Sequence, residues 1–209
     1  MSAQLRELVD DRAVLLPLTV EQYHQMIERG ILVEGDPYEL LDGHIVRKDR
    51  SAAGEDPMSV GHEHIWVIQK LARLDSKLGR LGCHMRTQAP VTLPPYDEPE
   101  PDGSIVLGTE DDYTQRHPGA ADVTCVIEVA DSSLRRDRTI KLRIYANAGI
   151  AQYVIINLPD RIVEVYTHPR KGRGRYGPAV TLGPADTLVL SAAKGKTLTV
   201  RVRDLLPRG

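Results

Sequence analysis

The chain has 209 residues, a length that suits one domain and buries a core without disulfides or metals as staples. Apolar residues make up 41% but aromatics only 4%, with eight Tyr, one Trp and no Phe, so the core must rest on Leu, Val, Ile and Ala. The formal net charge of −2 argues against a protein that coats nucleic acid through bulk electrostatics, because such binders carry a basic domain or stripe, and leaves a local basic patch as the alternative.

Cys83 and Cys125 are too few for a disulfide framework. Both sit in apolar, strand-like runs and read as buried free thiols. No apolar stretch approaches the roughly 20 residues that span a bilayer. Residues 2–12 are mixed in charge and lack the apolar run of a signal peptide. The expected address is the cytoplasm, with no membrane partner.

In chain order, residues 1–18 read as an N-terminal arm and residues 19–209 as a single domain. Thr19, with Gln22 three positions on, forms a capping box that opens a helix. This helix carries Tyr23, Met26 and Ile27 on one face and stops at Gly30. Asp42-Gly43 between two apolar runs is a strong hairpin signal. Residues 47–58 read as a polar loop. Ile65, Ile68, Leu71, Leu74 and Leu78 recur at three- and four-residue steps and predict a helix over 59–81. Val91 and Leu93 suggest a short strand, residues 104–107 another, and 108–121 a loop. Residues 123–129 form a nearly continuous β-rich run, the pattern of a strand buried on both faces. A helix follows over 136–148, with Ile140, Ile144 and Tyr145 on one face and Gly149 as its cap. Residues 153–156 and 162–166 flank Pro159-Asp160 as a second hairpin, 168–178 make a basic, Gly-rich turn, and the last segment holds one or two short strands before a turn at Leu206. Alternating helices and strands with frequent hairpins predict an α/β fold: a mixed central sheet flanked by helices.

The acids near strand ends carry the chemistry. Asp102 directly precedes the strand at 104–107, and Glu128 sits near the end of the buried strand. An isolated carboxylate in such a run is costly to bury, and a cation removes that cost. If the two strands are neighbours, the carboxylates converge on one hard cation, for which oxygen ligands suit Mg²⁺. Lys141, on the next helix, is placed to reach back toward Glu128, to orient a water and to stabilise charge on a phosphoryl group. Glu39, in the first hairpin, is a candidate fourth member. Simpler readings stand beside these: Asp102 as a turn residue, Glu128 paired with Arg135 or Arg143, and Lys141 as a solvated helix lysine.

The ordered set resembles the Uma2 family of restriction-endonuclease-like proteins, which have the PD-(D/E)XK nuclease fold. Tyr38-Glu39-Leu40-Leu41-Asp42-Gly43 is similar to that family's opening hairpin, and Ser59, His62 and Ile65 to the start of its long helix. Glu100-Pro101-Asp102 resembles its Pro-Asp motif, and residues 126–133 its Glu-Val strand and Ser-rich turn. Asp137, Lys141, Tyr145, Ala148-Gly149-Ile150 and Tyr153 are similar to the helix and strand that follow. The resemblance spans roughly residues 19 to 205. It implies a Mg²⁺-dependent DNA endonuclease, with Mn²⁺ as an alternative ion, Asp102, Glu128 and Lys141 as the catalytic set, and Glu39 in support. Two departures stand out. The third position of the Glu-X-Lys triplet is Ala130, which implies that the lysine has moved to the helix as Lys141, and Gln152 and Val154 flank Tyr153 where Glu and Trp are expected.

Other features are less specific. His62-Glu63-His64 lacks the further ligands of a zinc site, and residues two apart do not share a helix face. One His is expected to be exposed and the other packed near the site. Gln88 is a candidate cleft residue. The basic turn at 170–175 suits either phosphates or solvent, whereas Arg135, Arg136 and Arg138 flank Glu128 and are better placed for DNA. Cutting a duplex needs two sites, so a homodimer is expected. Two rival readings remain: a catalytically silent nuclease-fold module that binds DNA or regulates, and a hydrolase of small phosphorylated molecules.

Overall fold

The structure, a computed structural model, describes residues 16–33, 35–47 and 61–207. All but the first residue of the polar loop expected over 47–58, and nearly all of the N-terminal arm, lie outside these residues; Arg47 ends a strand.

Helix α1 (Val20–Glu28) opens as its sequence dictates. Thr19 Oγ1 accepts the Gln22 N–H at 3.2 Å and Gln22 Oε1 accepts the Thr19 N–H at 2.9 Å, closing the capping box. Strands β1 (Tyr38–Leu41) and β2 (His44–Arg47) pair antiparallel. Asp42 and Gly43 between them both have positive φ, 49° and 71°, as a type I′ turn requires. This hairpin carries Glu39 into the molecule.

Helices α2 (His62–Ala72) and α3 (Asp75–Gly79) lead into strand β3 (Cys83–Arg86). Strands β4 (Gly103–Leu107) and β5 (Val123–Ala130) follow, and the chain then crosses over through helix α4. This helix runs from Leu134–Arg136 through a π-turn at Asp137–Lys141 into Leu142–Ala148, and ends at Gly149 with φ 81°. Strands β6 (Gln152–Asn157), β7 (Ile162–Thr167) and β8 (Val180–Leu182) complete a six-stranded sheet in the order β3-β4-β5-β6-β7-β8. The β5–β6 pair is parallel and the other pairs are antiparallel, since a helical crossover returns the chain in the same direction. A last hairpin, β9 (Thr187–Ser191) and β10 (Thr197–Arg201), stands apart from the sheet ladder. The sheet is mixed and flanked by helices, as the alternation of elements predicts.

Side-chain alternation along β5 divides the core into two layers. Cys125, Ile127 and Val129 pack with Val67 and Leu71 of α2, Leu78 of α3, and Leu188 and Leu190 of the last hairpin. Val126 and Ala130 pack with Ile144, Tyr145, Tyr153 and Tyr176 on the other side. Glu128 shares parity with Val126 and Ala130, so a carboxylate faces the α4 layer. Both cysteines are buried and free.

Three expectations change. The helix predicted over 59–81 is two helices, and its inward stripe starts at His64 and Val67 rather than Ile65, which is 46% exposed. Around the π-turn the buried positions are Asp137 and Lys141, followed by Ile144 and Tyr145, whereas Ile140 is 38% exposed. A π-turn inserts one residue into the helical repeat, and the apolar periodicity read from the sequence slips by one place. Val91 and Leu93 are buried, but the segment forms only isolated bridges, Thr92 with Gly119 and Leu93 with Asp97.

Leu71 joins α2 to the sheet so closely that a Cβ at Gly103 would meet its Cδ1 at 3.1 Å. Leu71→Ala should therefore lower stability by about 2–5 kcal/mol through lost burial and the cavity left behind. Urea unfolding of the two proteins measures this, and a loss under about 0.5 kcal/mol would contradict the packing described.

Candidate active site

Glu128 and Asp102 meet because of strand register. Gly103 pairs with Ile127, and one step further the ladder sets Asp102 beside Glu128. Asp102 Oδ2 accepts the Val129 N–H at 2.9 Å, which ties the residue to β5 just past the end of β4. On the other side His64 Nε2, from the first turn of α2, lies 3.0 Å from the same oxygen. Of the His62-Glu63-His64 triplet, then, His64 packs at the site while His62 is exposed.

Glu128 turns the other way, into the α4 layer. Its Oε1 accepts from Lys141 Nζ at 2.9 Å and from the Tyr145 hydroxyl at 2.8 Å. Lys141 Nζ also lies 3.2 Å from Glu39 Oε2, which in turn accepts the Glu100 N–H at 3.2 Å. Asp137, one helical turn before Lys141, is buried and accepts from Ser133 Oγ at 2.6 Å. Glu39, Glu128, Asp137 and Lys141 are all at most 3% exposed. Three separate elements, the β1–β2 hairpin, β5 and α4, thus deliver one ammonium and several carboxylates to one enclosed place.

The charges there do not balance. Burial raises the Glu128 carboxyl, Lys141 opposes it, and Asp137, Asp102 and Glu39 raise it further, to about 8. Burial acts against the Lys141 ammonium, yet Glu128, Glu39 and Asp137 outweigh it and hold the group well above the usual lysine range. Asp102 is pushed up by burial but held below its ordinary value by His64, Lys141 and the Val129 N–H. Asp137 is raised, chiefly by burial. Four carboxylates gather around one lysine in a poorly solvated place, and part of their charge is relieved by protons that Glu128 and Asp137 hold above their ordinary range. Asp102 and Glu128 supply the hard oxygen atoms that suit Mg²⁺. No three His, Cys, Asp or Glu side chains among the described residues are arranged to share one ion. A Mg²⁺ ion held by Asp102 and Glu128 alone would need water to complete its shell.

The structure brings together Asp102, Glu128, Lys141 and Glu39. The simpler pairings fail: Glu128 meets Lys141 rather than Arg135 or Arg143, and Arg143 pairs with Asp42 in the hairpin turn. Lys141 is buried, not solvated. Of the basic residues, Arg135 is exposed and Arg136 is half-buried, its Nε enclosed without a hydrogen bond among the described residues. Arg138 is bound instead to Glu164 on β7, through Nε at 3.1 and 3.2 Å and Nη2 at 2.6 Å. The basic turn closes on itself through the Arg170–Arg175 bridge. Asp137 and Tyr145 were not assigned roles from the sequence, although Asp137, Lys141 and Tyr145 stand four residues apart in turn, a spacing that signals one helix face.

A mixed sheet with an acid pair at adjacent strand ends and a lysine from the crossover helix defines a restriction-endonuclease-like α/β protein. The chain belongs to the Uma2 family, described as "Putative restriction endonuclease", which it matches over residues 20–201. Among solved structures it is similar to the crystal structure of "a putative nuclease belonging to DUF820 from Anabaena variabilis ATCC 29413", with a TM-score of 0.63 and 16% identity over 90% of this chain and 97% of that one. No curated protein matches the chain.

The raised Glu128 carboxyl sets a pH dependence. The folded protein keeps this proton between the ordinary value of 4.5 and about 8, whereas the unfolded chain has released it. Stability therefore falls as pH rises through that window. Urea midpoints at the two ends of the window should show this decline, and Glu128→Gln, which still accepts from Lys141 and Tyr145, should flatten it. An equal decline in the variant would assign the effect to other groups.

Proposed function

We propose that this protein is a Mg²⁺-dependent endonuclease that hydrolyses DNA phosphodiester bonds, with Mn²⁺ able to replace Mg²⁺. The observation that carries this reading is the buried contact of Lys141 with both Glu128 and Glu39, beside Asp102. Asp102 and Glu128 would hold the ion, which when bound supplies positive charge to the phosphoryl oxygens and acidifies a water.

The chain's own groups do the rest. Lys141 stays protonated because three acids surround it, so it is a fixed cation for the charge that builds on the phosphorus centre. Glu39 and Tyr145 limit its freedom: one receives the ammonium directly, the other holds the Glu128 oxygen that receives it. His64 orients Asp102 from the opposite layer. The missing lysine at position 130 was the reason to consider a silent module. Ala130 is fully buried, and the ammonium reaches Glu128 from the helix instead, so that reason weakens. Arg135 and Arg136 follow the acid strand and are suited to phosphate contact. Cutting both strands of a duplex requires two such sites, which a homodimer would supply.

Incubation of plasmid DNA with protein and Mg²⁺ tests the reading. Asp102→Ala should abolish nicking, and Lys141→Met should lower its rate by about a hundredfold or more, in the range lost when one transition-state charge donor is removed. Nicking that survives Asp102→Ala in a folded protein rules the assignment out.

A further inference from the structure

A groove of about 1170 Å³ opens between α1, the residues after it and the 113–120 segment. Its volume exceeds what a single nucleotide needs. Tyr38, Glu98 and Glu100 line it; Glu39 and Asp102, close to them in sequence, do not. Arg86, at the end of edge strand β3, also lines the groove.

The sheet fixes where Arg86 points. It pairs with Ser104 on β4, and Ser104 pairs with Val126 on β5. Arg86 therefore shares the face that carries Glu128. Two strand spacings across and two residues along separate their backbones by roughly 12 Å. A nucleic-acid strand lying across the acid pair passes within reach of such an arginine.

Arg86 is one of several described arginines without a carboxylate partner, and the one of them that lines this groove. Arg116, Arg138, Arg143, Arg161 and Arg201 each meet a carboxylate. Among the described residues Arg86 meets none, and its Nη2 lies 3.5 Å from His117 Nδ1. Burial draws its guanidinium below the usual arginine range, opposed only by the Tyr113 phenol. A half-buried guanidinium without a counter-charge is costly unless an anion meets it, and its planar fork fits two phosphate oxygens. The enclosed acid of the same groove, Glu98, does not compete for it: both its oxygens face His24 Nε2, at 2.8 and 2.9 Å, and Thr92 Oγ1 donates to it at 2.7 Å. The neighbouring Arg116 is held by Asp122 at 2.6 Å, which leaves Arg86 as the donor free to turn to a ligand.

We infer that Arg86 is a phosphate subsite, binding a backbone phosphate of the nucleic-acid strand next to the one at the acid cluster. The inference rests on the nucleic-acid reading given above, and it assigns the groove as the path of the strand away from the cut.

The test is fluorescence anisotropy with a labelled single-stranded oligonucleotide in EDTA, where binding is read without cleavage. Arg86→Ala should weaken binding by about tenfold or more, the loss of one charge-assisted contact. It should also reduce the salt slope by roughly 0.7, one phosphate on a single strand. Arg86→Lys keeps the charge and loses the fork, so it should bind with intermediate affinity and an unchanged slope. Arg203→Ala, exposed on the far C-terminal turn, should bind as wild type does, and thermal unfolding confirms that each variant is folded. Binding by Arg86→Ala within twofold of wild type, or no binding by the wild type, overturns the subsite. Cleavage lost in Asp102→Ala with binding unchanged in Arg86→Ala would remove the subsite and keep the nuclease. Arg86-dependent binding by a protein that cuts nothing would do the reverse.

Discussion

Everything in the site depends on one buried ammonium. Lys141 lies between Glu128 and Glu39, at 2.9 and 3.2 Å, with almost no exposure to solvent. Enclosing charges in this way is expensive, and mutual attraction repays the cost only when geometry is close and the remaining donors are satisfied. Here the geometry is close, but the acids outnumber the lysine. A fold selected for stability alone gains little from such an arrangement, since apolar side chains of similar volume would serve as well or better. The excess of acids is what the proposed ion and phosphate would answer.

The rest of the architecture can be understood as what holds this ammonium in place. The register of β4 against β5 brings Asp102 to Glu128. The tight turn at Asp42-Gly43 aims the β1–β2 hairpin, so that Glu39 arrives fully buried. The π-turn rotates α4 to direct Asp137 and Lys141 inward where an uninterrupted apolar stripe would have placed Ile140. π-turns inside helices are often found at functional positions. Behind them, Tyr145 and Tyr153 lie 5.1 Å apart, and Tyr153 stacks on Tyr166 and Tyr176. Half of the chain's eight tyrosines thus form one rigid cluster under the site. In a protein without Phe, this is where aromatic bulk is concentrated.

Much of this was legible in the sequence, for identifiable reasons. Thr19 and Gln22, Asp42 and Gly43, and Gly149 are local devices whose chemistry acts within a few residues, and each forms as expected. The run at 123–129 reads as a doubly buried strand because both faces of β5 are in fact covered. Glu128 was conspicuous as a charge in that run. The limits were non-local. Periodicity alone cannot reveal an inserted π-turn, so Ile140 was placed on the buried face with Ile144 and Tyr145. The stripe of α2 was assigned from Ile65, although one histidine was expected near the site; that histidine is His64, which lies against Asp102. Arg138 looked available to DNA, and its partner Glu164 stands 26 residues away on a strand two places across the sheet. Likewise the groove at Arg86 depends on three segments distant in sequence.

The most direct measurement is calorimetric titration of Mg²⁺ and Mn²⁺ into the wild-type protein and into the Asp102→Ala/Glu128→Ala double variant. The account predicts saturable binding to the wild type that disappears in the double variant while the fold persists. Binding of equal affinity to both proteins would contradict it, because the ion would then lie somewhere other than the acid pair that Lys141 attends.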